Sequence, residues 1–206
     1  MDNISNLIAK KTGHSNLLDD LSEKLSASEL NSLLLELFRR RTKKITPAEL
    51  LSQFIKNRFA APSAIDTIDF KEFEIKCLGL AKNKGFLPVT LSPLTVLGTC
   101  SAVGFVDQNN VVTALRGTEV VSDATNVFAL LMAQEFKEKK NISLIKYAAA
   151  HRHVRSQALS NAAFTPHFSI FAWPRGALTR AASPLNWNKF PNTSVFISLF
   201  LKVNSK

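Results

Sequence analysis

The first sixty residues place apolar side chains at the spacing of amphipathic helices. Residues 26–29 (Ser-Ala-Ser-Glu) have the form of a capping box, and apolar residues follow at i, i+3, i+4, i+7 and i+8 from Leu30. Residues 46–49 (Thr-Pro-Ala-Glu) are a second helix start, because proline suits the first helical position and glutamate can bond back to the cap. We therefore predict a helical N-terminal segment over residues 1–60, followed by a linker at 60–66.

Beyond residue 68, helical and strand-like patterns follow one another. The predicted elements are a helix starting at Asp69 and running to residue 83, a strand at 86–91, a hairpin of strands at 103–106 and 111–115, a helix from Ser122, and strands at 144–150 and 168–172. Gly85 suits the end of the first helix, and the polar residues 107–110 suit the hairpin turn. Because helices and strands are grouped and do not alternate regularly, we predict an α+β fold with an antiparallel sheet flanked by helices.

Composition limits the class of protein. The chain has 206 residues, of which 46% are hydrophobic and 20% charged, as in soluble globular proteins. No apolar run reaches the roughly 18 residues that a membrane span requires, and the polar start lacks an apolar signal segment. We expect a cytoplasmic protein without a membrane partner, in which Cys77 and Cys100 are reduced and buried.

Positive charge is concentrated towards the end of the chain. Residues 1–138 hold 16 Lys+Arg and 16 Asp+Glu, and residues 139–206 hold ten Lys+Arg and no acidic residue, which together give the net charge of +10. A surface of this kind suits phosphate, from a nucleotide or from nucleic acid. The alternative interpretation is that residues 173–206 are an atypical basic tail, in a C-terminus that is truncated or altered, for example by a shifted reading frame.

Four short segments carry the candidate chemistry. They are Gly85-Phe86 with the strand that runs to Pro93, Leu115-Arg116-Gly117-Thr118-Glu119, His151-Arg152-His153-Val154-Arg155, and Phe164-Thr165-Pro166-His167-Phe168. In this order, and preceded by a helix, they resemble the catalytic core of class II aminoacyl-tRNA synthetases, with the histidyl type and its paralogues the most similar. The resemblance covers roughly residues 68–172.

The resemblance implies that ATP, with Mg²⁺, is a ligand. Arg152 resembles the family arginine that contacts the α-phosphate, and a guanidinium fork suits phosphate oxygens. Phe168 resembles the phenylalanine that stacks on adenine. With Arg155 and His167, these residues form the predicted nucleotide-binding set.

The other motifs imply an amino-acid pocket and a dimer. Thr118 and Glu119 resemble the turn that lies beside the amino-acid pocket in the family. The first motif forms the dimer interface in family members, so the helix at 70–83 and the strand at 86–92 predict a homodimer. The resemblance also implies tRNA as a partner.

Two departures from the family pattern bear on catalysis. Val154 stands where members usually carry glutamate, and the sequence contains no recognisable third motif, which is rich in glycine. We therefore predict a non-catalytic or degenerate paralogue that binds a nucleotide, an amino acid or tRNA. The alternatives are an ATP-dependent enzyme that forms aminoacyl adenylates, and a basic RNA- or DNA-binding module.

The histidines allow a further alternative. His151 and His153 should point to the same side of a strand, and with His167 they could hold a metal ion. No Cys, Asp or Glu lies nearby in sequence to complete a ligand set. We therefore predict no metal site, and the plain alternative for the whole stretch 146–155 is the solvated face of a strand.

Overall fold

The computed structural model describes residues 2–104, 106–139, 142–156 and 165–177. The predicted basic tail at 173–206 lies outside these residues from position 178 onward. The chain divides into two compact units, one of residues 1–53 and 114–117, the other of residues 54–113 and 118–206. Within the described part of the chain, no helix is both long and apolar enough to cross a bilayer.

The N-terminal part of the chain is helical, as predicted. Its elements are α1 (Asp2–Thr12), α2 (Leu17–Asp19) leading into a π-helical turn (Asp20–Lys24), α3 (Ala27–Thr42) and α4 (Pro47–Lys56). Both predicted caps are confirmed. The Ser26 amide donates to Glu29 Oε2 over 2.8 Å, and the Thr46 amide donates to Glu49 Oε2 over the same distance.

The described residues from Thr67 to Ala177 form two small sheets and three α-helices. The elements are α5 (Thr67–Asn83), β1 (Leu87–Pro88), β2 (Leu94–Val96), α6 (Thr99–Gly104), β3 (Thr113–Ala114), β4 (Thr118–Val120), α7 (Ala124–Glu138), β5 (Leu144–Val154), β6 (His167–Ala172) and β7 (Arg175–Ala177). One sheet has the order β2-β4-β3. In the other, β5 pairs with β1, β6 and β7. This combination of helices and mainly antiparallel strands is the predicted α+β class.

Strand β5 is the centre of the larger sheet. Its partner β1 runs parallel to it, with Leu87 opposite Tyr147, and β6 and β7 run antiparallel. Helix α7 packs on one face of β5, where Phe128 forms a core with Tyr147 and Ala149. Helix α5 lies on the opposite face, where Phe73 and Cys77 line a hollow with Ala150 and Phe171.

Three predicted boundaries are corrected. Helix α5 begins at Thr67, not at Asp69, because Asp66 accepts from the amides of Ile68 (2.8 Å) and Asp69 (3.0 Å) and so caps the helix. The strand predicted at 86–91 is limited to β1 (Leu87–Pro88). Strand β5 extends four residues further than predicted, to Val154, because its last six residues pair with β6.

The hairpin predicted from 103–106 and 111–115 is wrong. Residues 99–104 form helix α6, and residues 108–110 form a 3₁₀ turn that Asp107 caps. Strand β3 instead pairs with β4. Arg116 (φ 69°) and Gly117 (φ 67°) both adopt the left-handed conformation between them, which reverses the chain within two residues.

The core around Phe128 should dominate the stability of the larger sheet. Phe128 is fully buried and stacks on Tyr147, with ring centroids 5.8 Å apart. We expect Phe128→Ala to lower the free energy of unfolding by about 3–5 kcal/mol, measured by urea denaturation. Phe54→Ala is the matched control, because Phe54 is 51% exposed, and it should change stability by less than about 0.5 kcal/mol. Equal losses in the two variants would contradict this assignment of the core.

Candidate nucleotide-binding site

The pleat of the β5–β6 hairpin divides the predicted nucleotide-binding residues between two faces. Arg152 lies opposite Ser169, His153 opposite Phe168, and Val154 opposite His167. Residues opposite each other in an antiparallel pair share a face, and neighbours along a strand alternate. We call the side of Ala150, Arg152, His167 and Ser169 the α5 face, and the side of Ala149, His151, His153 and Phe168 the α7 face.

On the α5 face, Arg152 and His167 are in direct contact. Arg152 Nη2 lies 2.7 Å from His167 Nδ1, and His167 Nε2 lies 2.6 Å from the carbonyl oxygen of Ala61. His167 is only 8% exposed, whereas the Arg152 side chain is exposed. A buried imidazole therefore holds one nitrogen of an exposed arginine.

The charge of Arg152 has no counterion among the described residues. Within this part of the chain, the ion pairs are formed by other cations, and no carboxylate lies within 4 Å of the Arg152 guanidinium. Val154, two residues further along the same face, supplies none. An exposed guanidinium fixed at one nitrogen and unpaired with a carboxylate is suited to bind an external anion.

Arg155 and Phe168 are brought together on the α7 face. The Arg155 guanidinium carbon lies 5.3 Å from the centroid of the Phe168 ring. Arg155 Nε donates to the carbonyl of Ser122 over 3.0 Å, and its Nη2 lies 3.5 Å from Asp123 Oδ2. These contacts tie the end of β5 to the start of α7, so Arg155 and Phe168 lie on the opposite face from Arg152.

His153 supplies a hydrogen-bond acceptor for the first amide of α7. The amide of Ala124, the first residue of the helix, donates to His153 Nε2 over 2.8 Å, and the imidazole stacks on Phe168 with centroids 5.9 Å apart. His153 is fully buried. Burial lowers the pKa of His153 to about 4, and the nearby His151 and Arg155 add to this effect.

His151 and His153 lie on one face, as the His-x-His spacing predicts, with ring centroids 5.0 Å apart. Burial lowers the pKa of His151, and its Nε2 has no hydrogen-bond partner among the described residues. His167 lies on the other face because it pairs with Val154. Across the described ranges, no three His, Cys, Asp or Glu side chains gather closely enough to hold a metal ion.

Thr118 and Glu119, the predicted amino-acid-binding residues, lie side by side on β4 and so point to opposite faces. Glu119 is fully buried. Its carboxylate accepts from the amides of Gly98 (2.8 Å) and Cys100 (2.9 Å) and from Gln108 Nε2 (3.0 Å). Burial acts to raise the pKa of Glu119, but these hydrogen bonds outweigh it and hold the pKa below its ordinary value. Binding of an amino acid by this pair stays a prediction.

The linker contributes two contacts that the sequence does not suggest. The Ala61 carbonyl accepts from His167, and Arg58 Nη2 donates to the carbonyl of Ser156 over 2.8 Å. Both contacts join residues about a hundred positions apart along the chain. Local sequence patterns do not reveal contacts between residues so far apart, so the sequence does not identify Arg58 or Ala61 as part of the site.

No protein-family model matches the chain, and no curated protein matches it. Solved structures match part of it. One, of the pyrrolysyl-tRNA synthetase PylSc of Desulfitobacterium hafniense, has 12% identity and a TM-score of 0.41, and covers 61% of this chain and 42% of its own. Another, described as an ATP phosphoribosyltransferase regulatory subunit/histidyl-tRNA synthetase of Bacillus halodurans C, has 15% identity and a TM-score of 0.44, and covers 56% and 30%.

A second structure of pyrrolysyl-tRNA synthetase from Desulfitobacterium hafniense matches with 13% identity and a TM-score of 0.40, over 52% of this chain and 37% of that one. The chain thus spans less than half the length of each of these structures. Each of these matches is partial, with a TM-score of 0.44 or less.

Buried His153 makes stability depend on pH. Its folded-state pKa of about 4 lies below the ordinary value of 6.5, so the fold favours the neutral ring. The stabilisation is fully present above about pH 6.5 and is lost as the pH falls towards 4, by up to about 3 kcal/mol at 1.36 kcal/mol per pKa unit. Urea unfolding at about pH 7 and pH 4.5 measures this loss.

His153→Gln is the matched variant for that experiment. Its side-chain oxygen can still accept from the Ala124 amide, but the group does not titrate. We expect the variant to lose clearly less stability than the wild type between the two pH values. Equal losses in the two proteins would contradict the assignment of this pH dependence to His153.

Proposed function

We propose that this protein binds a nucleotide, ATP in the first instance, by its phosphate at Arg152 and does not form aminoacyl adenylates. The observation that carries the proposal is the state of the Arg152 guanidinium: it is exposed, held at one nitrogen by buried His167, and unpaired with any carboxylate of the described residues. A guanidinium with its remaining donors free makes strong, charge-assisted hydrogen bonds to phosphate oxygens.

Binding without catalysis fits the residues beside Arg152. Val154 provides no carboxylate two residues further on, and the sequence offers no recognisable third motif to supply a second phosphate contact. Synthetase-like adenylate formation relies on charged groups that stabilise the transition state as well as the substrate. ATP–pyrophosphate exchange in the presence of the amino acids tests this part of the proposal, and exchange above background would show that catalysis remains.

Arg152→Ala should weaken ATP binding about ten- to a hundredfold, because it removes a charge-assisted contact of about 1.5–3 kcal/mol. Arg152→Lys should recover little of the affinity, because an ammonium group cannot reproduce the planar fork. Isothermal titration calorimetry with ATP measures both variants. Thermal unfolding should be nearly unchanged, since the arginine is exposed.

Arg175→Ala is the matched control for charge. Arg175 is an exposed arginine on β7, opposite Lys146 at the other end of β5, so the variant lowers the net charge equally without touching Arg152. It should leave the ATP affinity within about twofold, as expected when only distant charge is removed. Undetectable binding of millimolar ATP by the wild type, or equal weakening in both variants, would contradict the proposal.

RNA binding is a second candidate, favoured by the cations that end α3. Arg39 and Arg40 are both paired with Glu36 at 2.7 Å, but Arg41, Lys43 and Lys44 are exposed basic residues just beyond them. Binding of tRNA through such a cluster should weaken steeply as salt rises. If tRNA binds with a steep salt slope and ATP does not bind, this function replaces the nucleotide proposal.

We also propose a two-fold homodimer through α5 and β1. Ile68 (67%), Ile75 (68%) and Leu80 (56%) on α5 and Leu87 (59%) on β1 are strongly exposed for apolar side chains. Large apolar side chains that are exposed to this extent are candidates for an interaction surface, and two-fold dimers are the commonest assembly. The proposal assigns this surface to a second copy of the chain.

Light scattering at micromolar concentration should give twice the chain mass of 22.8 kDa. Ile75→Asp should shift the protein to the monomer mass, because it places a charge in the interface. Ile55→Asp on α4, where the side chain is 74% exposed, should leave the dimer intact. A wild type at the monomer mass would remove the proposal.

A further inference from the structure

Both ring nitrogens of His167 are engaged, and the two contacts together fix its tautomer. The partner of Nε2 is the carbonyl oxygen of Ala61, at 2.6 Å, and a carbonyl can only accept. Nε2 must therefore carry the hydrogen. In the neutral ring Nδ1 is then the acceptor, and it receives the N–H of Arg152 Nη2 over 2.7 Å.

We infer that His167 is a positioning residue for Arg152, and that the Ala61 carbonyl enables this role by fixing the tautomer. The inference rests on the phosphate-binding function proposed above and adds to it the residue that holds the arginine ready. A relay of hydrogen bonds runs from the Arg152 guanidinium through the buried imidazole to the backbone of the linker.

The relay matters because an exposed arginine is mobile. A free arginine side chain loses about 2 kcal/mol of rotamer entropy when a ligand fixes it. A contact that restricts the side chain beforehand reduces this loss at the moment of binding. His167 uses only one of the five N–H donors of the guanidinium, so enough remain for two parallel bonds to a phosphate.

The support beneath His167 is firm. The ring is 8% exposed, and its residue lies at the start of β6 in register with Val154. The linker that carries Ala61 is itself attached to the hairpin by the hydrogen bond from Arg58 Nη2 to the Ser156 carbonyl, at 2.8 Å. The position of the Nδ1 acceptor for Arg152 is therefore fixed by the backbone of β6, which carries His167, and by the Ala61 carbonyl, which binds Nε2.

Two substitutions at His167 distinguish the roles of its two ring nitrogens. In His167→Asn the side-chain oxygen takes the place of Nδ1 and can still accept from Arg152. In His167→Gln the side-chain amide nitrogen takes the place of Nε2 and can still donate to Ala61, but no acceptor stands at Nδ1. Calorimetric titration with ATP should show His167→Asn within about threefold of the wild type and His167→Gln about five- to tenfold weaker.

A purely structural histidine would not give this split. The inference would be overturned if the two variants had equal affinities, either both retained or both lost. It would also be overturned if His167→Gln bound ATP more tightly than His167→Asn. Neither result would contradict ATP binding at Arg152 in the wild type. Thermal unfolding of both variants accompanies the titration, so that a loss of fold is recognised. If only His167→Gln unfolds, His167→Ala replaces it, with the same loss of affinity expected.

Nitrogen NMR of the imidazole rings provides a readout without ATP. We expect His167 as the tautomer with hydrogen on Nε2, and a shift of its Nδ1 signal in Arg152→Ala but not in Arg175→Ala. The opposite tautomer, or no shift in Arg152→Ala, would overturn the inference. If the contact is seen but the wild type binds no ATP, the phosphate function fails, and the positioning role in binding fails with it.

Discussion

The backbone pairing of β5 is the interaction on which the larger sheet and the candidate site both depend. This one strand forms ladders with β1 on one edge and with β6 and β7 on the other. Its alternate side chains pack beneath α7 on one side and near α5 on the other. A shift of one residue in the β5–β6 register would exchange the faces of Arg152 and His153. That shift would bury an unpaired guanidinium, whose cost is several kcal/mol, and this penalty helps to fix the register.

Local sequence patterns predicted the N-terminal helices correctly, but they gave the wrong secondary structure for part of the second unit. The capping residues at 26–29 and 46–49 act on neighbours three positions away, so sequence alone reveals them. The apolar run at 103–106 is equally compatible with a short strand and a short helix, and periodicity does not distinguish them. The deciding contact is the Glu119 carboxylate, which accepts from the Gly98 and Cys100 amides at the start of α6, about twenty residues earlier. No local pattern contains that information.

The candidate site shows the same limit. The sequence identified Arg152, Arg155, His167 and Phe168, and it predicted correctly that His151 and His153 share a face. The sequence analysis treats the first four as one group, because sequence alone gives no register between strands that are not adjacent along the chain. The pairing of Val154 with His167 separates them into two pairs on opposite faces. In one pair, the Arg152 guanidinium is held by His167 and has no carboxylate partner among the described residues. In the other pair, Arg155 is hydrogen-bonded to the carbonyl of Ser122 at the start of α7.

The most direct test of an anion site at Arg152 is chemical-shift mapping by NMR with a non-hydrolysable ATP analogue. The account predicts saturable shifts for the guanidinium of Arg152, the ring of His167 and the amide of Ser169, all on the α5 face. It predicts smaller shifts at His153 and Phe168, which lie on the α7 face. Shifts centred on the α7 face or on residues 39–44, or none at millimolar analogue, would contradict the account.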